Sequence, residues 1–209
     1  LYTLSKVISA VLSLLSISLF TRIFDADTYG QYLLFVSYVT LICSLFFWWH
    51  RLSTYRYYHK YKEYYESFLK TSYLSFFLII SIIIILSLVL YNFQFLHQYN
   101  IITLLPFCVL AAIFKSNFDL NQSLFNISRR DYLFCLNIVL RPVIFVTLSL
   151  IFHNYFKIYD FALIYSLIIS FLITAMVSNF LKAKFTETKF EFVEFDVRLQ
   201  ILIKGLGSK

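Results

Sequence analysis

The chain has 209 residues, of which 60% are hydrophobic, 21% aromatic and 14% charged. Soluble domains carry about 25% charged residues, so an ordinary water-soluble fold is excluded, and with only 3 Gly and 2 Pro so is a loop-rich or disordered chain. The net charge of +7 does not indicate nucleic acid, because the basic residues sit in separate short segments between apolar runs, a placement that reads as membrane topology.

Six apolar runs follow in order: roughly Leu4 to Phe24, Tyr32 to Trp49, Phe68 to Tyr91, Ile101 to Leu120, Tyr132 to Phe152, and Phe161 to Leu181. Each is long enough to cross about 30 Å of hydrocarbon at about 1.5 Å per residue. Inside a bilayer only helices or closed barrels satisfy every backbone N–H and C=O, and these runs lack the alternation of barrel strands. The expected fold is an all-α integral membrane protein, a six-transmembrane-helix bundle over residues 1–182. Residues 183–209 read as a cytoplasmic linker, since Phe190 to Val197 (FEFVEFDV) alternates apolar with acidic residues and is too charged to span. The chain starts at Leu1, and its first run lacks a small-residue cleavage site, so that run reads as the first helix of a truncated chain rather than a signal peptide.

On the first span Ser5, Ser9, Ser13 and Ser16 form a polar stripe, read first as close helix packing and second as a cavity lining. Arg22, Asp25 and Asp27 at its outer end read as interfacial and turn-forming residues. The connection Arg51 to Glu66 (RLSTYRYYHKYKEYYE) interleaves Tyr with basic residues, which suits a helix lying at the inner headgroup layer as an aromatic and cationic anchor, or one that captures an anionic lipid. Cys43, Cys108 and Cys135 lie inside apolar runs and support neither a disulfide framework nor a zinc site. His50, His59, His97 and His153 fall at span ends, where a wet interface accounts for them.

The intramembrane charges carry most of the functional information, because a charge in hydrocarbon is costly and marks a pathway or a binding site. On the fourth span Lys115, Asp119, Gln122 and Asn126 share one helical face, and Lys115 can pair with Asp119. The hairpin between spans four and five turns near Ser128, which puts Arg141 on span five at the depth of Lys115, about 15 Å inside the inner surface by helix rise. If both face the interior, two cations meet one carboxylate and the surplus favours a phosphate or diphosphate, which Arg holds with paired donors. Lys115, Asp119 and Arg141 are therefore the candidate substrate-binding residues. Pro142 removes a backbone N–H and is expected to kink the span or free the Ile138 carbonyl.

Orientation follows from the basic residues. With the N-terminus inside, the inner segments hold nearly all Lys and Arg, the outer ones only Arg22 and Lys157, while Lys115 and Arg141 stay within spans. Both termini are therefore expected in the cytoplasm. There is no Gly-rich phosphate loop, HExxH, GxSxG or carboxylate pair in a loop, so no enzyme, cofactor or metal site is expected.

The segment Thr21 to Tyr32 (TRIFDADTYGQY) resembles the connection between the first two helices of the Wzx-type polysaccharide flippases, through Thr21, Arg22, Tyr29, Gly30 and Tyr32. Trp49 to Lys70, with Arg56, Tyr57, Lys62 and Glu63, and Gln122 to Pro142, with Asn137 and Arg141, look similar to later stretches of that family. Its superfamily includes exporters of the MATE type. The resemblance implies one half of a 12 to 14 helix transporter with two bundles and alternating access, with Leu202 to Lys209 (LIKGLGSK) leading toward a second six-helix bundle. It implies translocation of a polyprenyl-diphosphate-linked oligosaccharide across the bacterial inner membrane for surface polysaccharide or O-antigen, with that lipid and the membrane as partners. Two alternatives stand beside it. A glycan polymerase or ligase generally carries a long outer loop, and here the outer connections are short. A small-molecule exporter of the same superfamily often relies on an acid in the first span, which has none.

Overall fold

The computed structural model describes residues 2–58, 65–91, 101–128, 130–156 and 161–182. Six helices long and apolar enough to cross a membrane are present among them, so the chain is an all-α six-helix membrane protein. They are α1 (Tyr2–Ile23), α2 (Ala26–Tyr58), α3 (Tyr65–Tyr91), α4 (Ile101–Ile127), α5 (Asp131–Asn154) and α6 (Ala162–Lys182). The linker over 183–209, with its Phe190 to Val197 stretch, lies outside the described residues.

Two helices, α2 and α4, differ in their bounds from the sequence reading in an informative way. The second helix starts at Ala26 rather than Tyr32 and runs past Trp49 to Tyr58. Arg51 to Tyr58 is thus the continuation of a spanning helix and not a separate helix on the membrane surface; the rest of that connection, 59–64, lies outside the described residues. Charged and tyrosyl residues lower the hydropathy without breaking a helix, so an apolar run ends before its helix does. The fourth helix extends in the same manner, to Ile127 rather than Leu120.

Within α2 the segment Cys43–Phe47 forms one π turn. Such turns interrupt the regular ladder and recur at functional positions. Here the π turn precedes Arg51 by a single turn of helix, where α2 passes α4.

The fourth helix is central. Cys108, Ala111 and Ala112 pack against Phe35, Val39 and Cys43 of α2 and Ile164 and Ile168 of α6. Val109 and Leu120 meet Phe47 of α2 and Phe76, Ile79 and Ile83 of α3. Phe125 meets Leu133 and Phe134 of α5. The first helix packs on α5 and the start of α6, where Phe20 and Phe24 join Phe145 of α5 and Ala162 and Leu163 of α6.

Lipid tails are as apolar as leucine, so burial alone does not drive these helices together; small residues and interhelical hydrogen bonds do. The sixth helix displays this directly. Ala162, Ser166, Ser170, Thr174 and Ser178 recur every four residues, all buried. Ser166 Oγ meets Ser149 Oγ of α5 at 2.8 Å, while the Ser170, Thr174 and Ser178 hydroxyls donate to carbonyls of their own helix. His50 departs from the sequence reading: it is not at a wet interface but is buried within α2, with Nε2 3.0 Å from the Ser72 carbonyl and 2.8 Å from the Ser75 hydroxyl of α3.

Candidate functional site

A cavity of about 270 Å³, open on the side where Ser13, Ile17 and Thr40 are exposed, is walled by α1, α2, α4, α5 and α6. Lys115 of α4 and Arg141 of α5 both line it, so the two cations placed at one depth by the hairpin arithmetic also share one space. Ser13 and Ser16 of α1 reach the same cavity, which makes this part of the serine stripe a cavity lining rather than packing alone. Tyr29 and Tyr32 supply aromatic wall, and Tyr32 stacks on Phe145 at 5.8 Å with a 19° interplanar angle.

Asp119 pairs with Lys115 one turn earlier, Oδ2 to Nζ 3.9 Å. Its second cation is Arg51 of α2, at 3.8 Å from the same oxygen, and not Arg141. Among the described residues Arg141 makes no ion pair; its guanidinium instead lies over the rings of Phe171 (5.3 Å) and Phe118 (5.8 Å). An aromatic face attracts a cation through its quadrupole but takes none of its N–H donors in the plane. Arg141 thus rests on two rings of the bundle and lines the cavity. Pro142 follows it, buried inside an α5 that stays helical from Asp131 to Asn154.

Arg51 and Lys115 thus flank one carboxylate, while Lys115 and Arg141 share the cavity, so Arg51 joins a group to which the sequence reading assigned only Lys115, Asp119 and Arg141. Arg51 was placed at the headgroup layer because it follows Trp49, where hydropathy falls. A signal was present: Phe35, Val39, Cys43 and Phe47 mark the buried face at four-residue steps, and Arg51 is the next step.

The remaining members of the charged stripe are structural. Gln122 is buried and donates through Nε2 to the Phe134 carbonyl of α5 at 3.0 Å, and Asn126 donates to the Tyr55 hydroxyl at 3.0 Å. Asn137, one turn before Arg141, is fully buried, yet among the described residues neither its Oδ1 nor its Nδ2 finds a partner, and Gln122 Oε1 lacks one also.

A second polar cluster escaped the sequence reading. Asn121 of α4, fully buried, accepts from the Tyr73 hydroxyl of α3 (3.1 Å) and donates toward Asn117 (3.0 Å), Ser178 (3.1 Å) and Asn179 (2.7 Å). Lys182 at the end of α6 donates to the Tyr73 hydroxyl and lies 4.1 Å from the centre of its ring. The cluster ties α3, α4 and α6 together.

Comparison of the chain with protein-family models, with curated proteins and with solved structures gives no match.

Proposed function

We propose that this chain is a transport bundle for a lipid-linked anion, and specifically that it translocates a polyprenyl-diphosphate-linked oligosaccharide across a bacterial inner membrane. The observation that carries the reading is the cavity lined by both Lys115 and Arg141, with Asp119 and Arg51 paired next to Lys115. Buried charge in a membrane protein is retained for a ligand or a pathway. A surplus of guanidinium and ammonium donors matches phosphate oxygens, for which Arg offers a bidentate fork. The resemblance of Thr21 to Tyr32 and of Gln122 to Pro142 to the Wzx-type flippases supports the same substrate class, and with it a second six-helix bundle across the cavity and cytoplasmic termini.

The volume sets a limit on the state described. Sites for small ligands run about 300–1,000 Å³, so about 270 Å³ accommodates a diphosphate but not an oligosaccharide. Passage of the glycan requires the walls to part, while the prenyl tail remains in the bilayer. Deleting the gene in its host bacterium tests the reading: lipid-linked oligosaccharide should accumulate on the cytoplasmic leaflet and surface polysaccharide should disappear. Unchanged lipid-linked pools and surface polysaccharide would refute it.

A further inference from the structure

A smaller cavity of about 140 Å³ lies beside the central one, between α2, α3 and α4. Arg51, Lys115, Asp119 and His50 are among its walls, and Lys115 and Thr40 belong to the walls of both cavities. The two spaces therefore meet at one shared cation.

Asp119 holds its two cations loosely. A charge-assisted N–H···O bond closes to about 2.7–2.9 Å, whereas Asp119 Oδ2 stands 3.8 Å from Arg51 and 3.9 Å from Lys115, one oxygen serving both. The Arg51 guanidinium meanwhile lies over the Trp48 ring, 4.4 Å from its centre. Nη1 of Arg51 and the Lys115 ammonium thus converge on a carboxylate oxygen that takes neither at bonding distance.

We propose that the smaller cavity is a second phosphate subsite, held by Arg51 and Lys115, in which Asp119 is the resident counter-ion that an incoming phosphate group displaces. The inference rests on the reading of the protein as a carrier of a lipid-linked diphosphate, and it assigns to that site a regulating residue. A phosphate carries more charge and more acceptor oxygens than a carboxylate and fits the Arg fork. Once displaced, Asp119 stays tethered one helical turn from Lys115 and repels the bound anion. A transported ligand must bind well enough to enter and weakly enough to leave. Three cations without Asp119 would favour only the first.

The test measures binding of farnesyl diphosphate, and separately of inorganic pyrophosphate, to the full chain in phosphatidylcholine nanodiscs. Asp119→Asn should tighten binding about tenfold and Arg51→Gln should weaken it about tenfold, the size expected when one charge-assisted interaction with the anion is strengthened or removed. Asp119→Glu, which keeps the counter-ion, should stay close to wild type and guards against a fold defect in the amide variant. Weaker binding in Asp119→Asn, or unchanged binding in Arg51→Gln, would overturn the subsite; if Arg141→Gln still abolished binding, the carrier reading would stand without it. No binding of either probe to the wild type would overturn both. Tighter binding of farnesyl diphosphate than of pyrophosphate assigns the subsite to a lipid headgroup, and equal binding assigns it to the free anion.

Discussion

Asn121→Ala is the most quantitative perturbation the fold offers. Its Nδ2 carries two protons but faces three acceptors at 2.7–3.1 Å, so one proton is shared, and Oδ1 accepts a further bond from Tyr73. Three effective hydrogen bonds are lost on truncation. Interhelical hydrogen bonds in membrane proteins average about 0.6 kcal/mol each, which gives about 2 kcal/mol. Tyr73 keeps its bond with Lys182, and Ser178 keeps its bond to the Ala175 carbonyl, so the partners are not left bare and no larger penalty is expected. The assay is reversible unfolding in mixed micelles by sodium dodecyl sulfate titration, with Tyr73→Phe and the double variant completing a cycle. The cycle should show a coupling of about 0.6 kcal/mol between the two residues. Loss of less than about 0.5 kcal/mol in Asn121→Ala, with no coupling to Tyr73, would show that α3, α4 and α6 are not joined through this residue, against a per-bond average of about 0.6 kcal/mol.

Arg141→Ala should abolish surface polysaccharide while leaving the protein's level in the membrane near normal, since the guanidinium rests on two aromatic faces and closes no ion pair among the described residues; loss of the protein from the membrane by immunoblot would reveal a structural role instead. Asn137→Leu removes a buried amide with no partner and fills the same space with carbon, so the same detergent titration should show stability unchanged or raised by about 1 kcal/mol. Cysteines placed at Asn100 and Asn154 should react with an impermeant thiol reagent from outside, and one at Ser128 should not; the reverse pattern would invert the orientation.

The helices were legible because hydrocarbon demands long apolar runs, and nothing else in 209 residues produces six of them. Their ends were not, because Arg51 and Arg56 break hydropathy while a helix passes through them unhindered. The depth match of Lys115 and Arg141 could be read because both lie on one hairpin with a short turn, so residue counts translate into height. Arg51 could not be matched that way: it arrives from α2, and which helices become neighbours is decided by packing around α4. Asn121 was passed over for a related reason. The reading sought one polar stripe on α4, but residues 120–125 are all buried because α4 is enclosed on several sides, and a stripe has meaning only for a helix with a lipid face. The π turn at Cys43–Phe47 has no mark in the sequence at all.

The most direct measurement of transport is made in proteoliposomes that hold the intact gene product and a polyprenyl-diphosphate-linked oligosaccharide, following with time the fraction of glycan accessible to an added impermeant glycosidase. A cationic cavity that carries the diphosphate predicts that accessibility rises well beyond the initially exposed leaflet with the wild-type protein. It predicts no such rise with Lys115→Gln combined with Arg141→Gln at equal protein incorporation. Equal progress in the wild type, the double variant and protein-free vesicles would contradict it.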